Sequence, residues 1–179
     1  MKKCVIIISL IAILVLLLIL VALIPRTGMQ QNIAESAVYL TEHNEHFYPL
    51  IPGTHCSKLD EVADAVLLNI AYNLDEKHPI ESVMWANYYQ AEDKNRNDSF
   101  LEMVENSKPA NTQYLRYWHG SLIFVRPLLL IWNIRQIYVF HAVVLTGLII
   151  CLLIILIRNR LKAEAVVFIL SMIAVNIWF

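Results

Sequence analysis

Residues 4–24 read CVIIISLIAILVLLLILVALI, a run of 21 residues in which Ser9 is the one polar member. A helix of this length extends roughly 30 Å, which matches the hydrocarbon core of a bilayer. The alternative is a cleaved signal peptide, but the run is longer than a signal-peptide core and lacks a small-x-small cleavage site before Pro25. We therefore predict an uncleaved transmembrane helix over 4–24.

A second apolar run, IYVFHAVVLTGLIICLLIILI at 137–157, has the same length, and a basic loop at 158–162 follows it. The segment 163–179 is also apolar and ends at Phe179 without a polar stop. We predict transmembrane helices at 137–157 and 163–179, the last of them truncated. We also expect the chain to be the N-terminal part of a longer protein.

The composition is that of a membrane protein, with 58% hydrophobic and 16% charged residues. A typical soluble domain has about 25% charged residues. Residues 27–115 hold 14 acidic and five basic residues, a net charge of −9, and the rest of the chain carries +8. The excess of apolar residues excludes a disordered chain and an ordinary cytosolic enzyme. The polar part has no basic stripe with interleaved aromatic residues, so we expect no nucleic-acid partner.

The basic residues at the N-terminus and at 158–162 predict the orientation, since positive charge near spans stays cytoplasmic. Both are cytoplasmic if each of the first two apolar runs crosses the membrane once. A rival topology with a further crossing at 117–133 would place Arg126 near the bilayer centre, at a cost of at least ~2.5 kcal/mol. We therefore predict an all-α, multi-pass protein of the bacterial plasma membrane, with 1–3 cytoplasmic and a helical extracytoplasmic domain at 25–118.

Four helices are predicted in this domain from apolar periodicity and from residues typical of helix ends. They cover Leu59 to Leu74, Ile33 to Glu42, Pro79 to Gln90, and a segment that starts at Ser99 and ends before Pro109. Ser99 and Glu102 have the spacing of a capping box at the start of the last helix. No alternation of the strand type has a useful length.

Asp60 and Asp64 are candidate catalytic residues. They are four residues apart on a predicted helix, so they share one side, along the border of its apolar stripe. Carboxylates in this position can act as a general base toward a hydroxyl group or hold a divalent cation weakly. The alternative is charge that favours the helix N-terminus, which explains Asp60 better than Asp64.

His43, His46 and His55 lie close together in the sequence, and the first two have a metal-like spacing. Zinc needs three or four ligands in a fixed geometry, and the chain has no HExxH motif and no paired CxxC motif. We expect solvated loop histidines, with neither a metal nor another cofactor.

The segment 119–136 is predicted to lie along the outer membrane surface, because its apolar part is too short to span and a proline follows Arg126. Arg116, Arg126 and Arg135 are on the side where positive charge is disfavoured. A guanidinium binds phosphate in a bidentate manner, so a lipid phosphate is a natural partner. The alternative is that these arginines anchor the interface or pair with the acidic domain.

Three stretches carry a resemblance, namely LDEVADAVLLN at 59–69, YLRYWHG at 114–120 and RPLL at 126–129. The chain resembles a group of multi-pass membrane proteins of Gram-positive bacteria that has no established function, over most of residues 40–135. In architecture it is also similar to glycosyltransferases of the GT-C type, which use polyprenyl-phosphate-linked sugars.

The second resemblance implies that Asp64 or Asp60 is the catalytic base and that Arg116, Arg126 and His119 hold the lipid phosphate. The expected function is sugar transfer at the outer face, with membrane lipids and a polyprenyl-phosphate-linked sugar as partners. The alternative is a non-enzymatic structural, sensory or lipid-handling membrane protein whose outer domain binds a partner.

Overall fold

The computed structural model describes residues 2–42, 61–116 and 119–174, and they are mostly helical, as the sequence predicts. In chain order the elements are α1 (Lys2–Ala22), a short 3-10 helix (Arg26–Met29), α2 (Gln30–Glu42), α3 (Glu61–Asn73), α4 (Pro79–Trp85), β1 (Asn87–Tyr88), α5 (Arg96–Asn106), β2 (Thr112–Gln113), α6 (Leu122–Leu128), α7 (Ile134–Arg158) and α8 (Lys162–Ala174). The described residues up to 134 form one compact unit, and 135–174 belong to a second.

Two of the described helices are long and apolar enough to cross a membrane. They are the segment Val5–Ala22 of α1, with a mean hydropathy of 3.6, and α7, with a mean hydropathy of 2.9. The predicted spans at 4–24 and 137–157 fall on these helices. α7 begins at Ile134, so the last residues of the predicted surface segment 119–136 belong to it instead.

The predicted third span at 163–179 coincides with α8, of which 13 residues are described. A helix of 13 residues extends about 20 Å, which is shorter than the apolar core of a bilayer. Residues 175–179 of the predicted span lie outside the described residues. A third crossing therefore stays a prediction.

The core of the first unit lies between α2, α3 and α5, which pack against one another. Its large, fully buried side chains include Ile33, Leu40, Leu68, Ile70, Phe100 and Met103. Each buried side chain of this size stabilises the unit by about 1.5–3 kcal/mol. The helices predicted at 33–42 and 59–74 are confirmed within the described residues, and α2 starts three residues earlier, at Gln30.

α1 joins the first unit through its C-terminal end. It packs against α4 and α6, and Leu18, Val21 and Ala22 are buried. Toward the N-terminus, most large apolar side chains between Val5 and Leu17 are exposed. An exposed apolar surface of this size is unfavourable in water, so this part of α1 is suited to an apolar environment.

The helix predicted over 79–90 is wrong in its C-terminal half, because α4 ends at Trp85. Ala86 has a left-handed backbone with φ 46°, and its N–H donates to the Ser82 carbonyl, which ends the helix. The next residues form β1, which pairs antiparallel with β2 in the register Asn87↔Gln113. Two residues per strand are too few for the alternation that predicts a strand.

Two asparagine side chains hold the segment after β1. Asn69 of α3 is buried, and its amide donates to the Tyr89 carbonyl at 3.0 Å and accepts from the Tyr89 N–H at 2.9 Å. Asn111 pairs in the same way with both backbone groups of Gln90, at 2.9 Å each. Each amide side chain therefore satisfies the backbone N–H and C=O groups that a neighbouring strand would otherwise satisfy.

The predicted capping box at Ser99 is also wrong. α5 begins at Arg96, and the side chain of Asn95 caps it by accepting from the Asp98 N–H at 2.8 Å. Ser99 is buried and accepts from the Ala91 N–H. Asn95 is a good cap by residue type, but its use depends on how the preceding loop packs against the helix.

Candidate functional site

Arg126 of α6 is the most distinctive residue of the first unit, because its side chain is 0% exposed. Its Nη2 donates to the carbonyl of Ile24, just beyond the end of α1, and to that of Leu74, just beyond the end of α3, the latter at 3.2 Å. Nε and Nη1 have no hydrogen-bond partner among the described residues. We call Arg126, Ile24 and Leu74 the arginine bridge.

The bridge places a cation where two helices end. The C-terminal carbonyls of a helix lack intrahelical donors and carry the negative end of the helix dipole, so they favour a cation. Burial lowers the pKa of Arg126 to about 10, and the negative charge of Glu76 opposes this effect. The guanidinium is therefore still protonated at neutral pH, and it links three elements of the unit, α1, α3 and α6.

Three residues of α2 hold the segment between α6 and α7. Asn32 donates to the Leu129 carbonyl at 2.9 Å, Glu35 accepts from the Asn133 side chain at 2.8 Å, and Ser36 accepts from the Ile134 N–H at 2.8 Å. The Asn133 amide lowers the pKa of Glu35.

We call Asn32, Glu35 and Ser36 the α2 clamp. Ile134 is the first residue of α7, and its N–H has no partner within its own helix, so Ser36 supplies the missing acceptor. This clamp was not predicted from the sequence. The signal that could have indicated it is the i, i+3, i+4 spacing of three polar residues, which puts them side by side on one face of α2.

Two of the predicted phosphate ligands lie near the end of β2. Arg116 is exposed, and His119 is half-buried. The Nε2 of His119 donates to the Tyr114 carbonyl at 2.8 Å, and its ring lies 5.5 Å from the Tyr114 ring. Their assignment as lipid-phosphate ligands stays a prediction, and so does that of Arg126, whose guanidinium is enclosed by backbone carbonyls.

The predicted catalytic carboxylates are placed in part. Asp64 is half-buried in the first turn of α3, and Asp60 lies outside the described residues. Leu74, whose carbonyl accepts from Arg126, comes ten residues after Asp64, just beyond the other end of α3, about 15 Å along the helix axis. Catalysis by Asp60 or Asp64 stays a prediction.

No group of three or more His, Cys, Asp or Glu side chains that could hold a metal ion occurs within residues 2–42, 61–116 and 119–174. The three histidines His43, His46 and His55 lie outside these ranges.

The helix α6 and the turn after it carry apolar side chains on both sides. Leu122, Val125 and Leu129 are buried together with Arg126, whereas Phe124 is 70% exposed and Ile131 is 68% exposed. A surface helix in water turns polar residues outward. Large apolar side chains on the outer side are typical of a segment whose outer side meets an apolar environment.

A polar cluster at Glu102 connects α5 with the loop after β1. Lys94 lies 2.9 Å from the Glu102 carboxylate, and the Tyr89 hydroxyl donates to it at 3.3 Å. The hydrogen bond from Lys94 lowers the pKa of Glu102, and burial raises the pKa of Tyr89. Each charge of this cluster faces an opposite one, which favours a structural role.

Comparison of the chain with protein-family models, curated proteins and solved structures finds no match.

Proposed function

We propose that this chain belongs to an integral membrane protein in which a helical outer domain is braced onto the ends of the first two membrane spans. In this proposal the domain is a non-catalytic module that binds a partner and passes a displacement to the spans. The observation that carries it is the pair of attachments, the arginine bridge at the end of α1 and the α2 clamp at the start of α7.

The two attachments are buried or part-buried hydrogen bonds within the first unit, to which Ile24 and Ile134 belong. A Gly- or Ser-rich linker would let the domain move freely. Here Arg126 holds the residue that follows α1, and Ser36 holds the first residue of α7. In this proposal a movement of the domain reaches the end of α1 and Ile134, which both belong to the first unit.

The membrane location rests on α1, α6 and α7. Val5–Ala22 and α7 have the length and hydropathy of membrane spans, and α6 exposes the large apolar side chain of Phe124. The basic residues at the start of α1 and at 158–162, around the end of α7, favour a cytoplasmic N-terminus. We propose the multi-pass topology and the plasma-membrane location on these grounds.

Topology is tested with a membrane-impermeant thiol reagent on single-cysteine variants of the full chain. Glu105→Cys, on the exposed side of α5, is expected to react in intact cells, and Arg160→Cys only after permeabilisation. The reverse pattern would contradict the orientation, and equal reaction at both positions would contradict the membrane location.

The attachment of the domain to the end of α1 is tested by the distance between spin labels at Leu23 and Glu105. Both residues lie in the first unit. We expect a narrow distribution in the wild-type background and a broad one with Arg126→Met. Arg116→Met is the control, because it removes an exposed arginine of the same region. A broad distance distribution in the wild-type background would refute this attachment.

The second candidate is a transferase that uses a lipid-linked sugar, with Asp64 as base and Arg116 and His119 as phosphate ligands. One observation favours it. Arg116 is exposed two residues after Tyr114, whose N–H donates to the Ala86 carbonyl at the end of α4. Because Ala86 follows α4, which packs on α1, we infer that Arg116 lies near the level of the lipid phosphates if α1 spans a bilayer.

Lipid co-purification separates the two candidates. The transferase predicts that a polyprenyl phosphate is found by mass spectrometry with the wild type and is lost with Arg116→Ala but kept with Lys108→Ala. It also predicts that Asp64→Asn abolishes transfer at unchanged expression. The absence of such a lipid from the wild type would favour the non-catalytic module.

A further inference from the structure

The helix α4 exposes apolar side chains beside a candidate span. Ile80 is 63% exposed and Met84 is 66% exposed, and four residues apart they share one face of the helix. Trp85 next to them is partly exposed. Glu81 lies about 100° around the helix from Ile80, so α4 has an apolar side next to a charged one.

We propose that α4 is a second membrane-surface helix and that its occupant is the acyl region of the outer leaflet. This inference rests on the proposed membrane function and extends it to a helix that the sequence analysis did not place at the membrane. The domain then contacts the bilayer surface through α4 and α6, in addition to its connection to α1.

Lipid is the expected occupant because α4 lies beside α1, the candidate membrane span. Both α4 and α6 pack on α1, and the buried residues of α1 begin at Leu18. Four residues separate Leu18 from Ala22, the last residue of α1, which corresponds to about 6 Å along the helix axis. Interfacial helices reach about 5–10 Å into the boundary between headgroups and acyl chains. The buried end of α1 therefore spans the depth of an interfacial helix, and we infer that α4, which packs on α1, lies at this depth.

The exposed residues have the composition that this depth favours. Met84 and Ile80 supply apolar area, and a tryptophan prefers the interface because its ring is apolar and its N–H is polar. Phe124 and Ile131 of the α6 region extend the same kind of surface on a second segment that adjoins α1.

Site-directed spin labelling of the full chain in phosphatidylethanolamine–phosphatidylglycerol vesicles tests the proposal. Single cysteines replace Met84, Ile11 and Glu105 in a background without the native cysteines. The readout is the ratio of collision rates with oxygen, which concentrates in lipid, and with a water-soluble nickel complex. We expect a ratio above one at Met84 and Ile11, and below one at Glu105.

Ile11, in the exposed half of α1, separates this inference from the proposed function. If the Ile11 label is in lipid and the Met84 label is in water, the inference is overturned and the membrane span stands. If the Ile11 label is in water, both fail. If the Met84 label is shielded from both reagents, a protein covers α4 and the inference is overturned.

A second measurement avoids labelling. In a variant with Phe at the positions of Trp118, Trp132 and Trp178, the fluorescence of Trp85 reports on α4 alone. Lipids brominated on the upper acyl chain are expected to quench it. Emission unchanged by the bromine would overturn the inference.

Discussion

Replacing Arg126 with Met removes the arginine bridge while keeping an unbranched side chain of similar length. Two carbonyl oxygens, of Ile24 and Leu74, then lose their charged donor. The wild-type side chain is fully buried, so the carbonyls do not regain water without a local rearrangement. The ends of α1 and α3 are therefore expected to separate from α6.

The magnitude follows from two opposing contributions. Two hydrogen bonds from a charged donor stabilise the folded unit by roughly 1.5–3 kcal/mol each. Burial of the guanidinium lowers its pKa to about 10, and a shift of this size costs the charged form roughly 3 kcal/mol. The two bonds together contribute roughly 3–6 kcal/mol, so the net loss for Arg126→Met is about 1–2 kcal/mol. For a domain of this size, at roughly 4 °C per kcal/mol, it lowers the melting temperature by roughly 4–8 °C.

Thermal unfolding of the purified chain in mild detergent, followed by far-ultraviolet circular dichroism, measures this loss. Arg126→Lys keeps the charge with a shorter reach, so it is expected to recover part of the stability. Arg116→Met is expected to leave the melting temperature within a few degrees of wild type, because Arg116 is exposed. Equal melting temperatures for wild type and Arg126→Met would refute the structural role of the bridge.

Three further predictions concern the same unit. Asn69→Ala leaves both backbone groups of Tyr89 without a partner and is expected to cost about 2–3 kcal/mol by chemical unfolding, whereas Asn73→Ala costs less than half as much; equal losses would contradict the ladder role of Asn69. The pKa of Glu102 is lowered in the folded state, so its stabilisation is complete above its ordinary value of 4.5 and is lost as the pH falls through the lowered pKa. Glu102→Gln is expected to flatten the acid side of the stability profile, and an unchanged profile would argue against the ion pair with Lys94. Ser36→Ala leaves the Ile134 N–H without its acceptor and is expected to accelerate amide exchange at Ile134 relative to a Ser171→Ala control; unchanged exchange would refute the clamp.

Elements defined by a local pattern were predicted well. α1 and α7 follow from uninterrupted apolar runs, and α3 follows from apolar residues at helical spacing. Elements defined by distant partners were not. α4 was predicted five residues too long because nothing near Trp85 indicates that the next residues pair with β2. The start of α5 was misplaced because Asn95 and Ser99 are both acceptable caps by residue type.

The candidate site shows the same division. The sequence identified Arg126 as unusual, since an arginine interrupts an apolar stretch. It did not show that the guanidinium would donate to two carbonyls, because these lie 52 and 102 residues away along the chain. Polar residues of α2 were passed over for the same reason, since their partners are 97 and 98 residues distant.

The sequence alone therefore determined the two long apolar helices and the amphipathic helices α2 and α3, because helix hydrogen bonds and side-chain hydropathy are local properties. The tertiary structure decided which side chains of α6 are buried and which are exposed. The packing of α6 against α1 and α3 buries Arg126 and turns Phe124 outward, and that choice depends on which surfaces meet. A polar group enters the interior only where a partner satisfies it, and for Arg126 these partners are the carbonyl groups at two helix ends that folding brings together.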